Sequence, residues 1–101
     1  MLDNRGRITI KEELLEKDEY VGKGVEINIF YDSNQKSICI RSKYVEQIEG
    51  MYWVGKNKID KIGRLYIPAS IRNAFPGATY LPAERNGRIY ILIIEHEKKS
   101  E

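Results

Sequence analysis

Two copies of one short unit, each a turn, a strand, a helical segment and a hairpin, predict a small mainly β domain with short helices. Three observations carry that prediction. The motif Asp-x-x-Gly-Arg occurs at residues 3–7 and again at 60–64, an offset of 57, and apolar residues alternate after each. Residues 24–40 line up with residues 77–93 at an offset of 53. Both of those segments show the two-residue alternation of half-buried strands on either side of turn-forming residues. A chain of 101 residues buries roughly two thirds of its unfolded surface, enough for one modest core. The two copies are therefore expected to share a single domain, residues 1–101.

The first copy spans residues 1–43. Its Asp3 can accept backbone N–H bonds across a tight turn, and Gly6 supplies the positive φ that other residues avoid. Ile8-Thr9-Ile10 alternates as a strand does. Residues 11–16 read as a short helix, with Glu12 and Glu13 where acids oppose the helix dipole. Val25, Ile27, Ile29 and Tyr31 alternate with Glu26, Asn28 and Phe30, and Asp32-Ser33-Asn34-Gln35 turns the chain into residues 36–41. Residues 44–55 form a linker and leading strand: a short helix over 42–49 ends at Gly50, and Met51-Tyr52-Trp53-Val54 opens the strand.

The second copy spans residues 56–95. Asp60 and Gly63 repeat the turn, and Leu65-Tyr66-Ile67 repeats the strand. Pro68 suits the first helical position, Ile71, Ala74 and Phe75 share one face, and Pro76-Gly77 ends the helix. Asn86-Gly87 is the favoured dipeptide of a two-residue hairpin turn. The charged residues 96–101 are expected to fray. Asp3, Gly6, Asp60, Gly63 and Pro68 thus read as architecture.

Composition narrows the function classes. Apolar residues make up 42% and charged ones 32%, an ordinary globular balance. The longest apolar run, residues 89–94, is far short of the roughly 20 residues that span a bilayer. The first seven residues contain no apolar stretch of the signal-peptide kind. The expectation is a cytoplasmic chain, with no membrane partner. One cysteine makes neither an internal disulfide nor a thiolate metal cage. Cys39 lies between two isoleucines and reads as packing, and His96 stands alone among Glu95, Glu97 and Lys98. With no zinc spacing, P-loop or nucleotide fingerprint, no enzyme, metal or cofactor is expected.

The stretch 58–72, Lys-Ile-Asp-Lys-Ile-Gly-Arg-Leu-Tyr-Ile-Pro-Ala-Ser-Ile-Arg, resembles the signature of the AbrB/SpoVT/MazE/MraZ superfamily. Asp60, Gly63, Arg64, Ile67, Pro68, Ile71 and Arg72 match it at the right spacing, and Asp3, Gly6, Arg7, Ile10 and Leu14 match in the first copy. The first copy departs at Lys11 and Leu15, where the signature has proline and arginine. The resemblance implies a swapped-hairpin, double-psi-like β-barrel of the AbrB type. Two copies in one chain imply the pseudo-dimeric arrangement of MraZ. Only Met1-Leu2 precede Asp3, so the first copy's leading strand is expected to be nearly missing.

Charge is divided between the copies. Residues 1–50 carry eight basic and ten acidic side chains, a balance of −2, and residues 51–101 carry nine and five, a balance of +4. Cations on a strand-turn-helix unit can meet phosphates, and arginine can also read guanine edges. The resemblance places duplex DNA contacts in this region. Arg64 and Arg72 match the motif's arginines, Lys56, Asn57, Lys58 and Lys61 fall in the leading strand and turn, and Arg5 and Arg7 are the first copy's counterparts. For Arg64, a bridge to Asp60 and a phosphate contact both fit the spacing. The acidic run Glu12, Glu13, Glu16, Asp18 and Glu19 reads as a solvated face or a protein-partner surface. The aromatics Tyr52, Trp53, Tyr66, Tyr80 and Tyr90 read as core or interface before base-stacking platforms. The resulting expectation is a nucleoid-associated, DNA-binding transcriptional regulator that reads mainly through its second copy, with homo-oligomerisation open. The alternatives are an antitoxin of a toxin–antitoxin pair, or an interaction barrel without DNA binding.

Overall fold

The computed structural model describes residues 2–43 and 49–96. Along the chain run β1 (Arg7–Thr9), α1 (Glu12–Leu15), β2 (Glu26–Asp32), β3 (Ser37–Arg41), β4 (Met51–Lys58), β5 (Arg64–Tyr66), α2 (Ala69–Ala74), β6 (Thr79–Arg85) and β7 (Arg88–Ile94). The expected short helix over 42–49 falls mostly on residues outside those described. Strands β1 and β5 pair as a two-stranded ribbon, and the other five form an antiparallel sheet in the order β4-β2-β3-β7-β6. Among the described residues no helix is long and apolar enough to cross a membrane.

The repeat is an internal two-fold. In the ribbon, Ile8 pairs with Leu65, its own counterpart at the 57-residue offset, flanked by Arg7↔Tyr66 and Thr9↔Arg64. Cys39 pairs with Tyr90 in the same self-matching way at the centre of β3 and β7. The ungapped 53-residue alignment holds over β2 and β6 and fails after the hairpin turns. The first turn uses residues 33–36 and the second only Asn86-Gly87, so β7 follows β3 at an offset of 51. Positive φ at Asn86 and Gly87 (54° and 76°) is what a two-residue hairpin demands.

The core lies between the ribbon and one face of the large sheet. Ile8, Ile10, Leu65 and Ile67 pack there against Ile27, Ile29, Ile38, Ile40, Ile89 and Ile91, all buried. Alternation in β2 is weaker than the sequence implies, because Asn28 and Phe30 are buried as well. A bulge in β4 shifts its register between Ile29 and Phe30, setting Trp53 opposite Phe30. The Trp53 indole N–H then donates to Asn28 Oδ1 at 3.0 Å. Tyr52 and Trp53 are half exposed on this edge strand rather than buried in a core, whereas Tyr80 is buried. Pro68 is the cap of α2 rather than its first turn, and its carbonyl accepts from Ile71 and Arg72.

The large sheet does not close on itself, and β4 and β6 are its two edges. β4 covers the outer edge of β2. Among the described residues nothing pairs with the outer edge of β6. Pro82 lies on that edge. In a two-residue hairpin it occupies a position whose nitrogen faces away from β7, where a missing N–H costs no ladder bond.

Candidate nucleic-acid interface

The two Asp-x-x-Gly-Arg turns are the same object built twice. Asp3 Oδ1 accepts from the backbone N–H groups of Arg5 and Arg7, each at 2.9 Å, and its Oδ2 accepts from Arg7 Nε at 2.9 Å. Asp60 does likewise with Ile62 at 3.0 Å, Arg64 at 2.8 Å and Arg64 Nε at 2.7 Å. Backbone N–H bonds, first of all that from Arg64, hold the Asp60 carboxyl down at about 2, and the bond from the Arg7 N–H lowers Asp3 in the same direction. Gly6 and Gly63 close the turns at φ of +79° and +92°. Each turn also anchors the other copy. Ile10 N–H donates to the Gly63 carbonyl at 2.8 Å, and Ile67 N–H to the Gly6 carbonyl at 2.9 Å.

Because Ile8 and Leu65 point inward, the ribbon's other face carries Arg7, Thr9, Arg64 and Tyr66 together. Arg7 reaches across the two-fold, with Nη1 4.0 Å from Asp60 Oδ2. Arg5 and Lys61 are exposed at the ribbon's two ends, with no carboxylate within 4.0 Å among the described residues. The motif's arginines are thus both braced and presented. Arg64 bridges to Asp60 and still keeps part of its side chain in solvent.

Arg72 is not the freely exposed arginine the helical spacing suggests. Its Nε donates to the Ile67 carbonyl at 2.9 Å, its Nη2 donates to the Tyr66 hydroxyl, and its guanidinium lies 4.9 Å from the centre of the Tyr66 ring. It also lies directly over Gly6, where a Cβ would come within 2.8 Å of the guanidinium. α2 therefore packs beside the first copy's turn. Correspondingly Leu15 of α1 packs beside Gly63. This crossing redistributes charge. Arg5, Arg7 and Arg72 gather at one end of the ribbon, and the other end has Lys61 and Arg64, with Leu15 of α1 beside Gly63.

The remaining candidates lie apart from the ribbon on β4. Lys56 is 3.9 Å from Glu26, Asn57 is half-buried, and Lys58 is exposed opposite Glu26. The acidic run divides too. Glu12, Glu13, Glu16 and Glu19 are exposed, but Asp18 is only 4% exposed, and its carboxylate accepts from Tyr20 N–H and Ile89 N–H, each at 3.1 Å. It pins the loop after α1 onto β7. An aspartate two residues before its N–H partner is a turn signal that the charge count hid. His96 is exposed, with Nε2 2.7 Å from Thr79 Oγ1. Cys39 is half-buried, and burial pushes its thiol up. Among the described residues no group of three His, Cys, Asp or Glu side chains converges as a metal site. Comparison of the chain with protein-family models, with curated proteins and with solved structures finds no match.

Proposed function

We propose that this chain binds duplex DNA through the exposed face of the β1–β5 ribbon and acts in transcriptional regulation, at the nucleoid. One observation carries the reading: the internal two-fold sets Arg7 and Arg64, on matching turns, side by side on one outward face. A protein two-fold suits duplex DNA, whose half-sites are related by a two-fold of their own. Carboxylate braces fix two guanidinium groups in orientation, so less side-chain freedom is lost when they meet phosphates or guanine edges. Arg5 and Lys61 add uncompensated charge at either end. The AbrB-like two-copy fold belongs to the same proposal. Both copies contribute under this reading, and the Arg5–Arg7–Arg72 end is the stronger one because α2 brings Arg72 over the first copy's turn.

The test is duplex DNA titration at several salt concentrations, comparing wild type with an Arg5→Ala/Lys61→Ala double variant. Neither side chain braces the fold, so the effect on binding does not pass through unfolding. Each lost phosphate contact lowers the slope of log K against log salt by about 0.9. The double variant is expected to lose about 1.8 of that slope. Binding indifferent to salt, or a double variant that binds as wild type does, refutes the proposal.

A further inference from the structure

Away from the ribbon, β3 and β7 pair only from Ser37↔Leu92 to Cys39↔Tyr90 and then separate. Continuing that register would set Arg41 opposite Arg88. Instead the strands fork, and the Asp18 carboxylate enters the fork to take the Ile89 N–H. The fork opens into a cleft of about 320 Å³, whose walls include Arg41, Lys43 and Arg88, with Tyr20 at its mouth. That volume is at the small end of the range for ligand pockets, roughly 300–1,000 Å³.

Three cations and one carboxylate line this cleft among the described residues. Among the described residues no carboxylate lies within 4.0 Å of Arg41, Lys43 or Arg88. Arg85 stands in register opposite Arg88 and adds a further cation, its guanidinium 5.5 Å from the Tyr90 ring centre. Like charges opposed across strands are unfavourable unless an anion joins them. Among the described residues the acid lining the cleft is Asp18, which is buried and already accepts two N–H bonds. Glu19 hydrogen-bonds the Tyr20 side chain, and with Glu16 it lines an adjoining hollow that shares Tyr20 and Arg88 with the cleft, so an anion would seat on the Arg41–Lys43 side. Guanidinium forks match phosphate oxygens two at a time, and the lysine adds a point charge. The Tyr20 ring, 58% exposed, offers a flat face at the mouth.

We infer that this cleft binds a nucleotide-type phosphate, with its charged group held between Arg41, Lys43 and Arg88 and its base against Tyr20. The inference does not depend on the ribbon's binding DNA. Two sources share this chemistry, a free nucleotide and the phosphorylated 5′ end of a nucleic-acid strand.

The test is a ¹H–¹⁵N NMR titration of the whole chain with ADP, inorganic pyrophosphate and adenosine in turn. ADP and pyrophosphate are expected to shift the Ile89 and Tyr20 amides saturably, because both amides are bonded to Asp18 in the cleft. Adenosine, lacking the charge, is expected to leave them unmoved. An Arg41→Gln/Arg88→Gln variant should lose at least about tenfold in affinity, the scale of one charge-assisted hydrogen bond. Arg5→Gln on the ribbon should leave affinity unchanged. Single strands with and without a 5′-phosphate separate the two sources: a shift by the phosphorylated strand alone that exceeds ADP assigns the site to strand ends. No saturable shift with either phosphate probe at about 10 mM, or an equal loss in Arg5→Gln, overturns the site. ADP binding no tighter than pyrophosphate overturns the part given to Tyr20. Failure here leaves the ribbon variants' effect on duplex DNA untouched, so the two readings fail separately.

Discussion

Gly6 and Gly63 occupy the same place in two copies of one turn, yet alanine should cost more at Gly63. Both have positive φ, +79° and +92°, where an L side chain is strained by about 1–2 kcal/mol. What a Cβ would meet is different. At Gly63 it would be 2.8 Å from the Ile10 carbonyl oxygen, a backbone atom. Relieving that contact pulls on the 2.8 Å bond from Ile10 N–H to the Gly63 carbonyl, worth about 1 kcal/mol, and on the ribbon it anchors. At Gly6 the obstacle is the guanidinium end of Arg72, also at 2.8 Å, which can give way by loosening its bonds to the Ile67 carbonyl and the Tyr66 hydroxyl, at about 1 kcal/mol once water replaces them. Gly63→Ala is therefore expected to cost about 3–4 kcal/mol, the loosened ribbon adding about 1 kcal/mol to strain and bond, and Gly6→Ala about 2–3 kcal/mol. At about 4–8 °C per kcal/mol for a domain of this size, their melting temperatures should differ by about 4–8 °C. Circular dichroism melts of the two variants beside wild type provide the measurement. Equal losses, or a greater loss at Gly6, would refute the assignment of a backbone obstacle to Gly63 and a side-chain obstacle to Gly6.

Acid titration tests the turn carboxylates. Asp60 is held at about 2, below its usual 3.8, so its stabilisation is complete above about pH 4 and is lost as pH falls towards 2. Asp3 is shifted in the same direction. An Asp60→Asn variant should show a flatter acid limb in melts run from pH 5 to pH 2, and an unchanged limb would count against these bonds. Asp18→Ala should cost about 2–3 kcal/mol in urea unfolding, because it strips the buried Ile89 N–H of its acceptor. Amide exchange at Ile89 should accelerate in the same variant. A loss below about 0.5 kcal/mol would show that Asp18 does not pin the loop.

Local chemistry made much of the fold readable in the residues. An Asp, a Gly and an Arg at fixed spacing specify a turn whose hydrogen bonds close within five residues, so both turns follow from sequence. Asn86-Gly87 specifies its hairpin for the same reason. The two-residue difference between the hairpin turns was hidden, because an ungapped match of apolar residues tolerates a slip of two: that slip returns every side chain to the same face. Trp53 and Tyr52 read as core or interface, and on an edge strand with a bulge they lie half in solvent rather than in the core.

The site shows the division most plainly. Sequence by itself determined that two turns exist, that each brings an arginine next to its glycine, and that the second half of the chain is the more basic. Tertiary structure alone decided that the turns stand side by side about a two-fold, and that each helix lies on the other copy's turn. That crossing moves Arg72 to the first copy's side, so the ribbon's charge does not follow the chain's. It likewise took Asp18 out of an acidic run and set it in the fork between β3 and β7, in one cleft with Arg41, Lys43 and Arg88. Hydrogen bonds within a turn span a few residues and are written locally. The potential of a surface sums charges over a few ångströms of space, and only the packing of the two copies says which charges those are.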